Sequence, residues 1–275
     1  MIIATTPAQL AAALEPLHGD IGLVMTMGAL HDGHLSLVEA ARRESDHVVV
    51  SIYVNPLQFG PGEDFEAYPR DLEGDVAKLE GVDVVFAPTD ESIYPRTPLV
   101  RIDPGPVATI LEGKTRPTHF AGVLQIVHKV FNLVRPHAAW FGQKDAQQLA
   151  LIKTMVADLN MPLEIKSVPI KREATGLAMS SRNTYLSATE KQQALGLSQA
   201  LAAGKRVADA DGTAAQTLAA ARESIAHAPG VKLDYLELVD RDTFMQLDGR
   251  GNGLLVTAAW VGKTRLIDNL EVVIG

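Results

Sequence analysis

The chain contains no cysteine. Disulfides, thiolate nucleophiles and cysteine-ligated zinc or iron–sulfur sites are therefore excluded. It also lacks a positive charge balance: 25 Lys and Arg against 33 Asp and Glu give a formal net charge of −8. No broad basic surface is available to neutralise phosphates, so no nucleic-acid partner is expected, although net charge says nothing about a single basic cleft. No apolar run approaches the roughly 18 residues of a membrane span. "MIIATTPAQL" has no basic region leading into a long apolar stretch. The expectation is a soluble, cytoplasmic protein with no membrane partner. Internal repeats and low-complexity tracts are absent as well, although the segment from about 200 to 228 is rich in alanine.

What is present is apolar material, 47 % of 275 residues, enough for one large or two medium domains. "TTPAQLAAALEPL" reads as a helix start, with Thr6 as N-cap, Pro7 at the first helical position and Gln9 at the capping-box position. "IGLVM" is a short apolar run suited to a buried strand, and "HLSLVEAARR" places Leu35, Val38 and Ala41 at helical spacing. The alternation continues: "HVVVSIYV" as strand, "DVAKLE" as short helix, "VDVVFAP" as strand, "GVLQIVHKVFNLV" as helix, "AAWFG" as strand, "AQQLALIKTMVADL" as helix and "LEIKSVPI" as strand. Apolar strands alternating with helices predict an α/β fold with a doubly wound, Rossmann-like parallel sheet covered on both faces. After about residue 175 the pattern changes to two alanine-rich helices, Ala188–Ala208 and Thr213–Ala228, and then to "KLDYLELVD", "GLLVTAAWV" and "TRLIDNLEV" as antiparallel strands. The expected domains are 1–174, Rossmann-like, and 175–275, a smaller α+β domain closing over the active site.

"TMGALHDGH", residues 26–34, then falls at the first strand-to-helix turn of the sheet, and ligands in such sheets gather at the carboxyl ends of the strands. Gly28 and Gly33 permit close backbone approach. His34 stands at a helix N-terminus, which favours anions, and with His31 it could donate to phosphate oxygens. Two other readings of the stretch remain open here: zinc ligation by His31 and His34, or histidines that only cap the helix. "FGQKDAQQL" also follows a strand and opens a helix, placing Lys144, a point charge suited to phosphate, beside Asp145. "GLAMSSRN" offers hydroxyls, backbone N–H groups and Arg182. Here too simpler readings stand: a surface ion pair at Lys144–Asp145, and a helix start at Ser180–Ser181.

Five motifs, "TMGALHDGH", "YVNPLQFGPGEDFEAYPRD", "RPTHFAGVLQIV", "FGQKDAQQL" and "GLAMSSRNTYL", resemble in this order those of the pantoate–β-alanine ligase (pantothenate synthetase) family. The family belongs to the H-x-G-H nucleotidyltransferase group, and His31-Asp32-Gly33-His34 supplies that signature. The resemblance runs from about Met25 to Leu186. It implies ATP-dependent condensation of (R)-pantoate with β-alanine to pantothenate, AMP and pyrophosphate, through pantoyl adenylate.

It further implies that Met27, Gly28, Ala29, Leu30, His31, Asp32, Gly33 and His34 contact ATP, with His34 as proton donor to the phosphate region and His31 assisting. Gly142, Gln143, Lys144 and Asp145 form the second ATP segment, with Lys144 on phosphate oxygens. Lys171, Met179, Ser180, Ser181 and Arg182 complete the nucleotide site. Gln58 and Gln148 hold pantoate, with Met27 and Phe59 as an apolar wall; Asn55, Arg116 and His119 are weaker candidates. Mg2+ accompanies ATP, and a homodimer is implied. The chain departs from the family pattern at Met25, Gly74, Gln143 and Ala146. Glycine at position 74 leaves Asp75 as the one protein-side candidate for magnesium. A different H-x-G-H nucleotidyltransferase acting on a phosphorylated metabolite, and a silent nucleotide-binding module, are the alternatives.

Overall fold

The computed structural model describes residues Met1 to Gly275. The chain divides into two compact units, one of Met1–Gln143 and Leu151–Pro169, the other of Lys144–Ala150 and Ile170–Gly275. The passage into the second unit thus falls at 169/170 rather than 174/175. The short segment 144–150 goes with the second unit because its partners are distant in sequence: Asn269 Nδ2 donates to the Lys144 carbonyl at 2.9 Å. No local pattern reveals such a bond.

The first unit is built on β1 (Ile2–Ala4), β2 (Ile21–Thr26), β3 (His47–Ile52), β4 (Val84–Phe86), β5 (Ala138–Gly142) and β6 (Glu164–Val168). Their order is β1-β4-β3-β2-β5-β6, and every pairing is parallel. A parallel sheet is covered on both faces, which is why β2 to β4 read as continuous apolar runs. Leu23, Val24, Val49, Val50, Val85 and Phe86 are wholly buried. The helices are α1 (Pro7–Leu14), α2 (Asp32–Glu44), α3 (Leu72–Val76), α4 (Asp90–Ile93), α5 (Glu112–Thr115), α6 (His119–Val134) and α7 (Ala146–Asp158), the last beginning in segment 144–150.

Three local expectations shift. Thr6 caps α1 as expected, but Gln9 reaches back to the N–H of Thr5 rather than that of Thr6. The short helix expected over 75–80 lies at 72–76, because Asp71 accepts from the Gly74 N–H and starts it earlier. On α2 the buried stripe is Leu37, Val38 and Ala41, with Leu35 only partly covered.

The second unit holds α8 (Ala188–Ala208), α9 (Ala214–Ala226) and an antiparallel sheet of β7 (Val231–Asp240), β8 (Gly251–Val261) and β9 (Thr264–Ile274). Capping boxes at Ser187/Glu190 and Thr213/Gln216 start the two helices. Their alanines, including Ala194, Ala200 and Ala221, pack with Leu236, Leu238 and Leu255 of the sheet. No helix is long and apolar enough to cross a membrane.

Candidate active site

β2 and β5 lie side by side, yet the chain leaves β2 for β3 on one flank and β5 for β6 on the other. This is the topological switch point of the sheet, where ligands of doubly wound proteins bind. The loops after Thr26 and after Gly142 both leave from carboxyl ends there. They are the two strand-end motifs singled out in the sequence.

The first loop makes a tight turn. Gly28 and Ala29 both have left-handed backbone, with φ of 84° and 51°, and for alanine that conformation costs roughly 1 kcal/mol. Asp75 holds it in place. This carboxylate is only 2 % exposed. Its Oδ2 accepts from the Ala29 N–H at 2.8 Å and its Oδ1 from the Leu30 N–H at 2.7 Å. Lys78 Nζ donates to the Leu30 carbonyl at 2.9 Å and lies 3.6 Å from Asp75 Oδ1. Asp75, the candidate magnesium ligand, thus accepts one backbone N–H at each oxygen and holds the turn.

At the start of α2, His31 is the N-cap: its Nδ1 accepts from the Gly33 N–H at 3.1 Å. His34 Nδ1 in turn accepts from the His31 N–H at 3.3 Å, and the ring centroids are 4.2 Å apart. A nitrogen that accepts carries no proton, so both neutral imidazoles hold theirs on Nε2. Nδ1 of each ring thus serves the helix backbone, and Nε2 lies at the positive N-terminal end of α2. No three His, Asp or Glu side chains form a group that could hold a metal ion, and zinc would need the same ring nitrogens or further ligands.

Gln58 closes a 3-10 turn over Pro56–Gln58 that Asn55 caps. Asn55 is almost wholly buried. Its Nδ2 donates to Gln58 Oε1 at 3.2 Å and to the Gly122 carbonyl at 3.0 Å, while its Oδ1 accepts from Leu57 N–H and Tyr94 OH. The bond to Oε1 fixes the amide orientation and places Gln58 Nε2 2.7 Å from Met27 Sδ. Behind it, His119 Nδ1 donates to the Gln58 carbonyl at 2.9 Å, and Arg116 Nη1 lies 3.1 Å from His119 Nε2. Burial, then the Arg116 guanidinium, push the His119 pKa down to about 4, so the ring is neutral. Arg116 also pairs with Glu63. Burial works to raise the Glu63 carboxyl, but the bonds from Arg116 outweigh it and hold it below the usual carboxylate range. Asn55, Arg116 and His119 therefore support Gln58 from behind. Phe59 packs edge-on against Phe65 and Tyr68.

In the second unit, Lys144 and Asp145 belong to the 3-10 turn Gln143–Asp145 that leads into α7, and Lys144 Nζ lies 3.6 Å from Asp145 Oδ1. The ion-pair reading of this pair is thus correct as geometry. Gln148 is half-buried on the first turns of α7, beside the buried Gln147. Lys171 and Met179 close a small hairpin, with Met179 N–H donating to the Lys171 carbonyl at 2.9 Å. Ser180 Oγ then caps the 3-10 turn Ser181–Tyr185 by accepting from the Arg182 N–H. Asn183 ties the turn back to the hairpin through Glu173 Oε1 and the Ala178 carbonyl. Sequence reasoning passed over Lys78, Glu63, Tyr94, Glu173 and Asn183. Each acts on a residue distant in the chain or on backbone, so that even Glu63 and Asn183, which lie inside two of the motifs, show no role in the sequence.

A doubly wound parallel sheet with a histidine-capped helix at its switch point defines a Rossmann-like α/β protein with a nucleotide-suited end. The family model for pantoate–β-alanine ligase matches residues 2–271, and the chain belongs to that family, an enzyme of the ligase class. It is 51 % identical to the pantothenate synthetase of Acidothermus cellulolyticus, over 98 % of this chain and 91 % of that one. It is 52 % identical to that of Corynebacterium glutamicum, over 99 % and 100 %. Among solved structures, pantothenate synthetase from Thermus thermophilus matches with TM-score 0.95 and 47 % identity, covering 99 % of this chain and 100 % of that one. Pantoate–β-alanine ligase from Francisella tularensis, complexed with β-γ ATP and β-alanine, matches with TM-score 0.82 and 37 % identity, covering 98 % and 97 %.

Proposed function

We propose that the protein joins (R)-pantoate to β-alanine in two steps at the expense of ATP. A pantoate carboxylate oxygen attacks the α-phosphorus, the bond to the pyrophosphate oxygen breaks, and pantoyl adenylate forms. The β-alanine amine then attacks the acyl carbon and displaces AMP, losing a proton as the amide forms. Both nucleophiles come from substrates, so the protein supplies alignment and charge stabilisation. A cysteine-free chain is adequate for that chemistry.

The observation that carries this reading is the His31–His34 pair, with each Nδ1 turned to the helix backbone. The Nε2–H groups and the α2 N-terminus serve the phosphate oxygens, His34 as the principal donor. Lys144 neutralises charge on the triphosphate. Met27–Gly33, Gly142–Asp145, Lys171 and Met179–Arg182 bind the rest of the nucleotide. Gln58, its Oε1 occupied by Asn55, presents N–H to a pantoate oxygen. A neutral amide holds the carboxylate without quenching it as an ion pair would. Gln148 shares that role. An amide at this place favours pantoate over a phosphate ester, for which a cation would be expected.

Mg2+ enters with ATP, held mainly by phosphate oxygens and water as is usual for this ion. A homodimer in the cytoplasm completes the proposal. The test is exchange of labelled pyrophosphate into ATP. Exchange should require pantoate, and AMP should accumulate only when β-alanine is added. Exchange without pantoate, or none at all, would contradict the reading.

A further inference from the structure

β9 carries two polar residues, Asp268 and Asn269, in the middle of a strand whose alternate residues Leu266, Val272 and Ile274 lie in the core. Successive side chains on a strand point to opposite faces, yet Asp268 and Asn269 are 4 % and 5 % exposed. Burying a carboxylate and an amide is costly unless both are bonded, and their partners show what the cost supports. Asp268 takes a bidentate pair from Arg172, at 2.7 and 2.8 Å. Arg172 lies next to Lys171 in the 171–179 hairpin, and its Nη1 also donates to the Gly176 carbonyl at 3.1 Å. Its guanidinium further reaches the Asn269 carbonyl at 3.3 Å. On the other face, Asn269 Nδ2 donates to the Lys144 carbonyl at 2.9 Å. The two residues are themselves linked, Asn269 N–H donating to Asp268 Oδ1 at 2.8 Å.

We propose that Asp268 and Asn269 are positioning residues for the nucleotide: one dipeptide of β9 sets the backbone of Lys144 and, through Arg172, the hairpin that carries Lys171 and leads to Met179–Arg182. A bidentate arginine pair fixes orientation as well as distance, and Asn269 fixes where the Lys144 side chain starts. The inference rests on the reading that these two segments bind ATP, and it gives the C-terminal unit a part in substrate use. It also places Arg172 in support of the site rather than on phosphate, since Asp268 holds both its terminal nitrogens.

The experiment uses the full chain and pantoate-dependent pyrophosphate exchange. Wild-type exchange with ordinary saturation by ATP validates the underlying reading; its absence overturns that reading and this inference with it. Given wild-type exchange, Asn269→Ala should raise the KM for ATP about five- to tenfold, the worth of one buried hydrogen bond. The KM for pantoate should be unchanged. Asp268→Asn should do at least as much, and Asp268→Glu, which keeps a carboxylate for Arg172, should recover part of the loss. If Asp268→Asn does not fold, the paired replacement Arg172→Met with Asp268→Leu removes the charges together, and the same rise in ATP KM is expected of it. An unchanged ATP KM in folded Asn269→Ala, or equal rises for ATP and pantoate, would overturn the proposal, because a merely structural role has no reason to single out the nucleotide.

Discussion

In the proposed function His34 and His31 each do two things with one ring: Nδ1 accepts from the helix backbone, and Nε2–H serves the phosphate oxygens. Because Nδ1 of His34 accepts from the His31 N–H, the ring is held in one orientation before substrate arrives. A donor held in place in this way stabilises charge that develops during attack at phosphorus without reorganising. His34→Ala should therefore lower the adenylation rate on the order of 10²-fold or more, with a much smaller change in ATP affinity. Single-turnover adenylate formation compared with ATP titration separates the two. Equal losses in both would remove the catalytic role.

His119 supplies a pH prediction. Its folded pKa is about 4, against 6.5 for an unburied imidazole. Between those values the unfolded chain takes up a proton that the folded chain refuses. The associated stability is complete above about pH 6.5 and is lost as pH falls toward 4, by about 3 kcal/mol in full. Urea unfolding at about pH 7.5 and pH 5 should show the decline, and His119→Gln should flatten it. Identical pH slopes in both proteins would contradict the assignment.

At the scale of elements, α6 and the turn Pro56–Gln58 meet through a glycine. A Cβ at Gly122 would lie 2.1 Å from the Leu57 carbonyl oxygen and 2.6 Å from Gln58 N. Gly122→Ala must therefore push the turn away from the helix, costing about 1–3 kcal/mol and moving Gln58. The expected signature is a raised KM for pantoate with ATP affinity preserved. Thermal unfolding and initial-rate kinetics would check it; an unchanged pantoate KM would show that Gln58 does not need this contact.

The elements themselves are largely legible in the sequence. Long apolar runs flanked by glycine and proline announce β2, β3 and β5, and the caps Thr6, Ser187 and Thr213 mark helix starts in the structure. The strand β1, three residues at the sheet edge, is too short for any period to show. The short helix at 72–76 lies ahead of its expected place because Asp71, not the apolar pattern, decides where it starts.

For the whole molecule, the ligand end of the sheet is legible because "TMGALHDGH" and "FGQKDAQQL" each fall at the end of a strand, and the structure sets those strands, β2 and β5, side by side. Less legible is how the motifs are held. Asp75 reaches back 46 residues to Ala29, and Asn269 reaches 125 residues to Lys144. In the sequence Asp75 reads as a metal ligand, and "LIDNLEV" as a strand in which Asp268 and Asn269 carry no sign of their burial. Only tertiary bonding reveals that this carboxylate of Asp75 holds the turn at Ala29 and Leu30.

The central claim is that pantoate is activated through its own oxygen on the α-phosphorus of ATP. Pantoate labelled with ¹⁸O in the carboxylate tests it most directly, by mass analysis of the nucleotide and pyrophosphate after turnover with β-alanine. One labelled oxygen should appear in AMP and none in pyrophosphate. Label recovered in inorganic phosphate or pyrophosphate, with AMP unlabelled, would mean a different phosphoryl group is attacked and would contradict the account.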